Sequence, residues 1–137
     1  MGVYNAFDQS HSEIFQAAKA QNIRTVAVTP LGQALYRRGF MVPKSMRDAW
    51  YLSRAMGSNK SELKHARHVA ANALNAIEGH TPASAMLGFA LANTALETVL
   101  INTTRLAHLE ENVRIAAGPP LDERTLSIVA KLERKQN

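Results

Sequence analysis

Cysteine is absent from all 137 residues, so neither a disulfide nor thiol chemistry can contribute. Long hydrophobic runs are absent too. The longest apolar-rich stretch, Ala83 to Leu91, is broken by Ser84 and Gly88 and falls well short of the ~20 residues that span a bilayer, so no membrane partner is expected. The opening MGVYNAFDQSHSE lacks the basic-then-apolar build of a secretory signal, which makes the cytoplasm the expected location. Aromatic residues amount to only 6%. They form no platform interleaved with basic residues, and no nucleic-acid motif is present, so nucleic acid ranks last among partners. His65 and His68 stand three apart without a third ligand, and Lys64 and Arg67 beside them oppose a divalent ion. No metal is expected.

What is present suits a single domain over residues 1–137, with 46% hydrophobic and 20% charged residues. Acid is scarce in one place: residues 37–67 hold eight Lys and Arg against Asp48 and Glu62. That segment carries +6 of a net +5, leaving the remainder at −1. Such a patch attracts phosphate esters, nucleic acid or an acidic partner, and is equally the build of a solvated surface.

Three stretches read as strands: 2–7, the β-branched run 23–29, and 97–103. Helix follows each. Ser10 and Glu13 have capping-box spacing, ahead of a face traced by Ile14, Ala17, Ala18 and Gln21. A helix is expected over 44–56, carrying Trp50, Leu52 and Met56. Another runs from an Asn59–Glu62 cap to Gly79, with Leu74 and Ile77 on its face. Thr81-Pro82 opens a third, apolar nearly all round. Thr104 to Ala116 reads as a helix with Leu106, Leu109, Val113 and Ala116 on one face. Asp122 opens the last, its inner edge at Leu126, Val129 and Leu132 or Glu133. Strand, helix and strand at these spacings make a parallel sheet.

Two segments carry candidate chemistry. Thr29-Pro30-Leu31-Gly32 closes the second strand, with Arg37 and Arg38 just beyond. Outward-pointing amides and a glycine without Cβ suit a bound anion, although the same turn can serve as a cap that binds nothing. In the second segment, His108, Glu111 and Asn112 lie about one helical turn apart. An Asn amide offers both donor and acceptor, yet LEEN on an exposed helix is also an ordinary solvated face.

The order of these signals resembles the C-terminal half of the aldo-keto reductase family. VYNAFDQSHSEIFQAAKAQNI is similar to the family's sixth strand and helix, and VAVTPLGQAL to its seventh strand and Ser-Pro-Leu-Gly turn. TPASAMLGFALAN is similar to its Ser-Pro-Ala-Gln-Leu-Ala-Leu helix, and VLINTTRLAHLEENV to its eighth strand and nucleotide-binding helix. The resemblance implies an α/β fold, a partial (half) TIM barrel with about three parallel strands and predominant helix. In such barrels ligands sit at the C-terminal strand ends, phosphate often near the last two. It implies weak NADP(H) binding, with Thr29, Leu31 and Gly32 near the pyrophosphate. Thr103, Thr104, Arg105, His108, Glu111 and Asn112 would then lie near phosphate and adenine.

Departures from the family matter as much. Its catalytic aspartate, tyrosine, lysine and histidine lie on the first four strands, which have no counterpart here. The aromatic under the nicotinamide would fall at Val28, the carboxamide-binding glutamine at Met1, and a phosphate-binding Arg or Lys at Asn102. Tyr4, Asp8 and Lys19 are suitable types without a histidine to join them. No catalytic residue is therefore assigned. The first expectation is a non-catalytic, self-associating chain with residual nucleotide binding, forming a homo-oligomer through exposed strand edges. The second is a fragment of an active NADP(H)-dependent carbonyl reductase, completed by an N-terminal barrel half on another chain. The third is a basic module binding nucleic acid or an acidic partner.

Overall fold

The protein's computed structural model describes residues 1–32 and 71–132, together with Met46, Ala49, Trp50 and Ser53. The rest of the expected 44–56 helix, the Asn59–Glu62 cap, most of the basic 37–67 segment, His65 and His68, and Glu133 lie outside the described residues. Strands β1 (Gly2–Val3), β2 (Val26–Val28) and β3 (Thr98–Leu100) form one sheet in that order. Both pairs are parallel, with Gly2 beside Ala27, Val3 beside Val28, and Val26 to Val28 beside Thr98 to Leu100. Helix α1 (Ser12–Ala20) connects β1 to β2. Helices α2 (Ala71–Asn75) and α3 (Pro82–Ala92) precede β3, and α4 (Leu106–Ala117) and α5 (Glu123–Ala130) follow it. Three parallel strands with helix predominating were expected, and each strand is shorter than its apolar run.

Side-chain hydrogen bonds set those strand limits. Asn5 Oδ1 accepts from the amides of Phe7 and Asp8 at 2.9 and 3.1 Å, and Asn5 and Asp8 bond reciprocally through their backbones, which turns the chain away from the sheet. At the entry to β2, the buried Thr25 hydroxyl donates to Ala95 O at 2.6 Å and accepts from the amide of Glu97 at 3.2 Å.

Alternation gives the sheet two unlike faces. Ala27 is fully buried, Val99 packs on the core, and a Cβ at Gly2 would stand 3.0 Å from the Phe15 ring, so this face meets the helices. On the opposite face Val3, Val26 and Val28 are half-buried, while Thr98 and Leu100 are exposed. The core runs through Tyr4, Phe15 and Phe89. Tyr4 stacks on Phe89 with centroids 5.7 Å apart and meets Phe15 edge-on. Tyr4 is thus a packing residue, and Lys19 is engaged with Thr94 O at 2.8 Å.

Helix starts and faces follow the sequence unevenly. Thr81 accepts from the amide of Ser84 at 3.1 Å with Pro82 at the first helical position, and α3 buries Ala85, Met86, Leu87, Phe89 and Ala90, as expected. Asp122 caps α5, whose inner edge is Val129 with Leu132 beyond it. Leu74 and Ile77 are buried, but α2 stops at Asn75, ahead of Gly79 (φ +75). The Ser10–Glu13 capping box does not form. The Ser10 hydroxyl donates to Asp8 Oδ1 at 2.6 Å, and the helix begins at Ser12 with no side-chain cap. Phe15, not Ile14, is the buried residue of α1, because Tyr4 and Gly2 leave room for a ring there. The Leu106–Ala116 stripe of α4 is likewise exposed, and Asn112 is the residue that helix buries.

Candidate functional site

Because Val28 lies beside Leu100 in a parallel register, the turn after β2 and the segment after β3 leave the same end of the sheet. The two sequence candidates are thereby brought to one edge. In the first, Thr29 has φ +56, its hydroxyl donates to Val28 O at 2.7 Å, and the amide of Gly32 donates back to Thr29 O at 3.0 Å. A β-branched residue with positive φ is uncommon, and such backbone recurs at ligand clamps. Pro30 is buried and Leu31 packs against the core. Gly32 has φ +49, and a Cβ there would lie 2.7 Å from the Phe7 ring and 3.3 Å from Met86. Its missing side chain therefore makes room for Phe7, a packing role that no local pattern announces.

After β3, Thr103 Oγ1 accepts from the amide of Arg105 at 3.3 Å, turning the chain into α4. Thr104, Arg105 and His108 are exposed. Among the described residues the Arg105 guanidinium has no ion-pair partner, the pair being Arg24 with Glu97. Glu111 is half-buried, and its Oε1 accepts from the Thr81 hydroxyl at 3.3 Å. Asn112 is 9% exposed. No hydrogen bond is made by its side chain among the described residues, where every fully buried side-chain nitrogen or oxygen has a partner. Its amide therefore remains reachable from solvent with both donor and acceptor uncommitted.

Sequence reasoning missed what lies beside Glu111. An open cleft of about 500 Å³ runs between α3, α4 and residues 118–121, lined by His80, Thr81, Ser84, Glu111 and Arg114 over an apolar floor that includes Ile115 and Leu121. The Thr81 cap was legible, but nothing local says that its hydroxyl meets a carboxylate thirty residues on. Among the described residues no group of three or more His, Asp or Glu could hold a metal ion, and no helix is long and apolar enough to cross a membrane.

The pattern of the aldo/keto reductase family matches residues 2–134. No curated protein matches the sequence. In structure the chain is similar to the apo form of the aldo-keto reductase AKR11C1 from Bacillus halodurans, at 16% identity and a TM-score of 0.69. The match covers 97% of this chain and 42% of that one. At that identity the likeness concerns the fold. Three parallel strands and their helices form part of a β/α barrel, and this chain spans less than half the length of its structural relative.

Proposed function

Since the chain belongs to the aldo/keto reductase family, we propose that it carries the part of the family's barrel that grips the phosphate and adenine end of NADP(H), and that it is not catalytic alone. When bound, the dinucleotide supplies a hydride. This chain's residues hold its tail. The turn Thr29, Leu31 and Gly32 faces the pyrophosphate, Thr103, Thr104 and Arg105 face phosphate, and His108, Glu111 and Asn112 face the adenine. The observation that carries the reading is Asn112, a buried side chain with an uncommitted amide, on the helix that follows β3 from the same end of the sheet as the 29–32 turn. Because the amide is reachable and no neighbour uses it, it is free to bind a ligand, and an adenine edge complements both its donor and its acceptor.

A second reading is supported by the 42% coverage. The rest of a barrel, on another chain, would supply the proton donor and close the sheet, and the assembly would reduce carbonyls with NADPH. Titration of NADPH fluorescence tests the first reading. Saturable binding in the micromolar to submillimolar range, weakened about tenfold by Asn112→Ala, is the expected result. Absence of binding at millimolar NADPH would refute the tail site, and turnover of a simple aldehyde by the isolated chain would refute the non-catalytic part.

A further inference from the structure

We propose that α4 is a self-association surface, on which two copies of this chain pair through parallel α4 helices. The stripe Leu106, Leu109, Val113 and Ala116 is spaced three, four and three residues. That is the a/d spacing of a two-stranded coiled-coil seam, narrower than the stripe with which a helix usually covers a core. The seam is not spent on this chain's own core: Leu106 is 70% exposed, Leu109 49% and Val113 59%. Helix α4 packs on α3 and buries Asn112, with Glu111 and Ile115 half-buried, through a different face.

Charge placement commits the seam to a second copy in parallel orientation. Arg105 precedes the first seam leucine, and Glu110 follows the second. In a parallel pair the residue before one seam position faces the residue five further along the other helix, so Arg105 of each copy meets Glu110 of its mate. An antiparallel pair would leave the two Arg105 side chains at opposite ends of the seam and bring the two Glu110 side chains together. Among the described residues neither Arg105 nor Glu110 has an ion-pair partner within the chain, leaving both available. The nucleotide reading also uses Arg105 but neither Leu109 nor Glu110, so the tests below can fail independently of it.

Sedimentation equilibrium at micromolar concentration should give twice the protomer mass. Leu109→Glu should return a monomer with unchanged helical circular dichroism, because the exposed side chain supports no core. Glu110→Arg should weaken the dimer about tenfold, and adding Arg105→Glu should restore it. The chain has no cysteine, so Leu109→Cys introduces a lone thiol. Mild oxidation should give a disulfide-linked dimer, since facing seam positions in a parallel pair come within disulfide reach. A monomeric wild type, or an oligomer that survives Leu109→Glu and so uses strand edges or another partner face, would overturn the proposal. Failure of Leu109→Cys to cross-link a proven dimer would overturn its parallel orientation.

Discussion

Gly32 shows how one residue can satisfy two readings for different reasons. A glycine after a strand suits close approach of a ligand, and the structure adds a packing reason. With φ +49 and Phe7 2.7 Å from any Cβ, the position excludes other residues even with nothing bound. Gly32→Ala should cost about 2–4 kcal/mol, combining left-handed backbone with overpacking, as read by urea unfolding. Adding Phe7→Leu should recover the overpacking part and leave the backbone part. A neutral Gly32→Ala would mean that Phe7 does not sit against this turn. The buried, uncommitted amide of Asn112 is the matching case at the other segment. Sequence supplied its chemistry, but only the fold shows that no neighbour consumes it.

Among the elements, those whose ends carry an accepting side chain were legible. Thr81 and Asp122 sit ahead of their helices with nothing nearer to bond, and both cap. Ser10 has the same local signature but stands two residues from Asp8, and its hydroxyl donates to that carboxylate instead of accepting an amide. Helix faces were less legible. Ile14 and Phe15 are adjacent and both apolar, and the Tyr4 ring just past β1, with the space left at Gly2, decides that Phe15 goes in. In α4 periodicity identified the stripe correctly and its direction wrongly, because spacing says which residues share a face and not which neighbour that face meets. The candidate site follows the same division: the 29–32 turn and the 103–112 segment are local and were readable, whereas the Thr81–Glu111 bond joins elements thirty residues apart. Thr81→Ala removes both the cap and that bond and should destabilise the protein by about 1 kcal/mol, measured by thermal unfolding. Thr81→Ser keeps both oxygen contacts and should restore most of it. Equal losses in the two variants would assign the effect to the methyl group's packing and not to the cap.

On the scale of the whole molecule, the described residues join a sheet to helices along one face, with one core and a few ties at its rim. Among the described residues, two such ties involve carboxylates whose protonation is shifted by folding. The Arg24 guanidinium, 2.7 Å from Glu97, joins the approach to β2 to the approach to β3 and holds the Glu97 carboxyl below its ordinary range. Hydrogen bonds from the Thr125 amide and hydroxyl do the same for Asp122 at the start of α5. Both groups take up protons less readily folded than unfolded, so their contributions are fully present above the ordinary values of 4.5 and 3.8. They are lost as pH falls through the lower values of the folded state. Comparing wild type with Glu97→Gln/Asp122→Asn by urea unfolding should show a more stable wild type at neutral pH. The gap should close as pH drops from about 5 toward 2, where both carboxyls are protonated. Because Glu97 pairs with a charged group and Asp122 only with neutral donors, salt separates them: raising ionic strength at neutral pH should erode the Arg24–Glu97 share and leave the Asp122 share. A gap independent of pH would mean that the substitutions act through something other than these charges, and a gap that widens in acid would reverse the sign of both assignments.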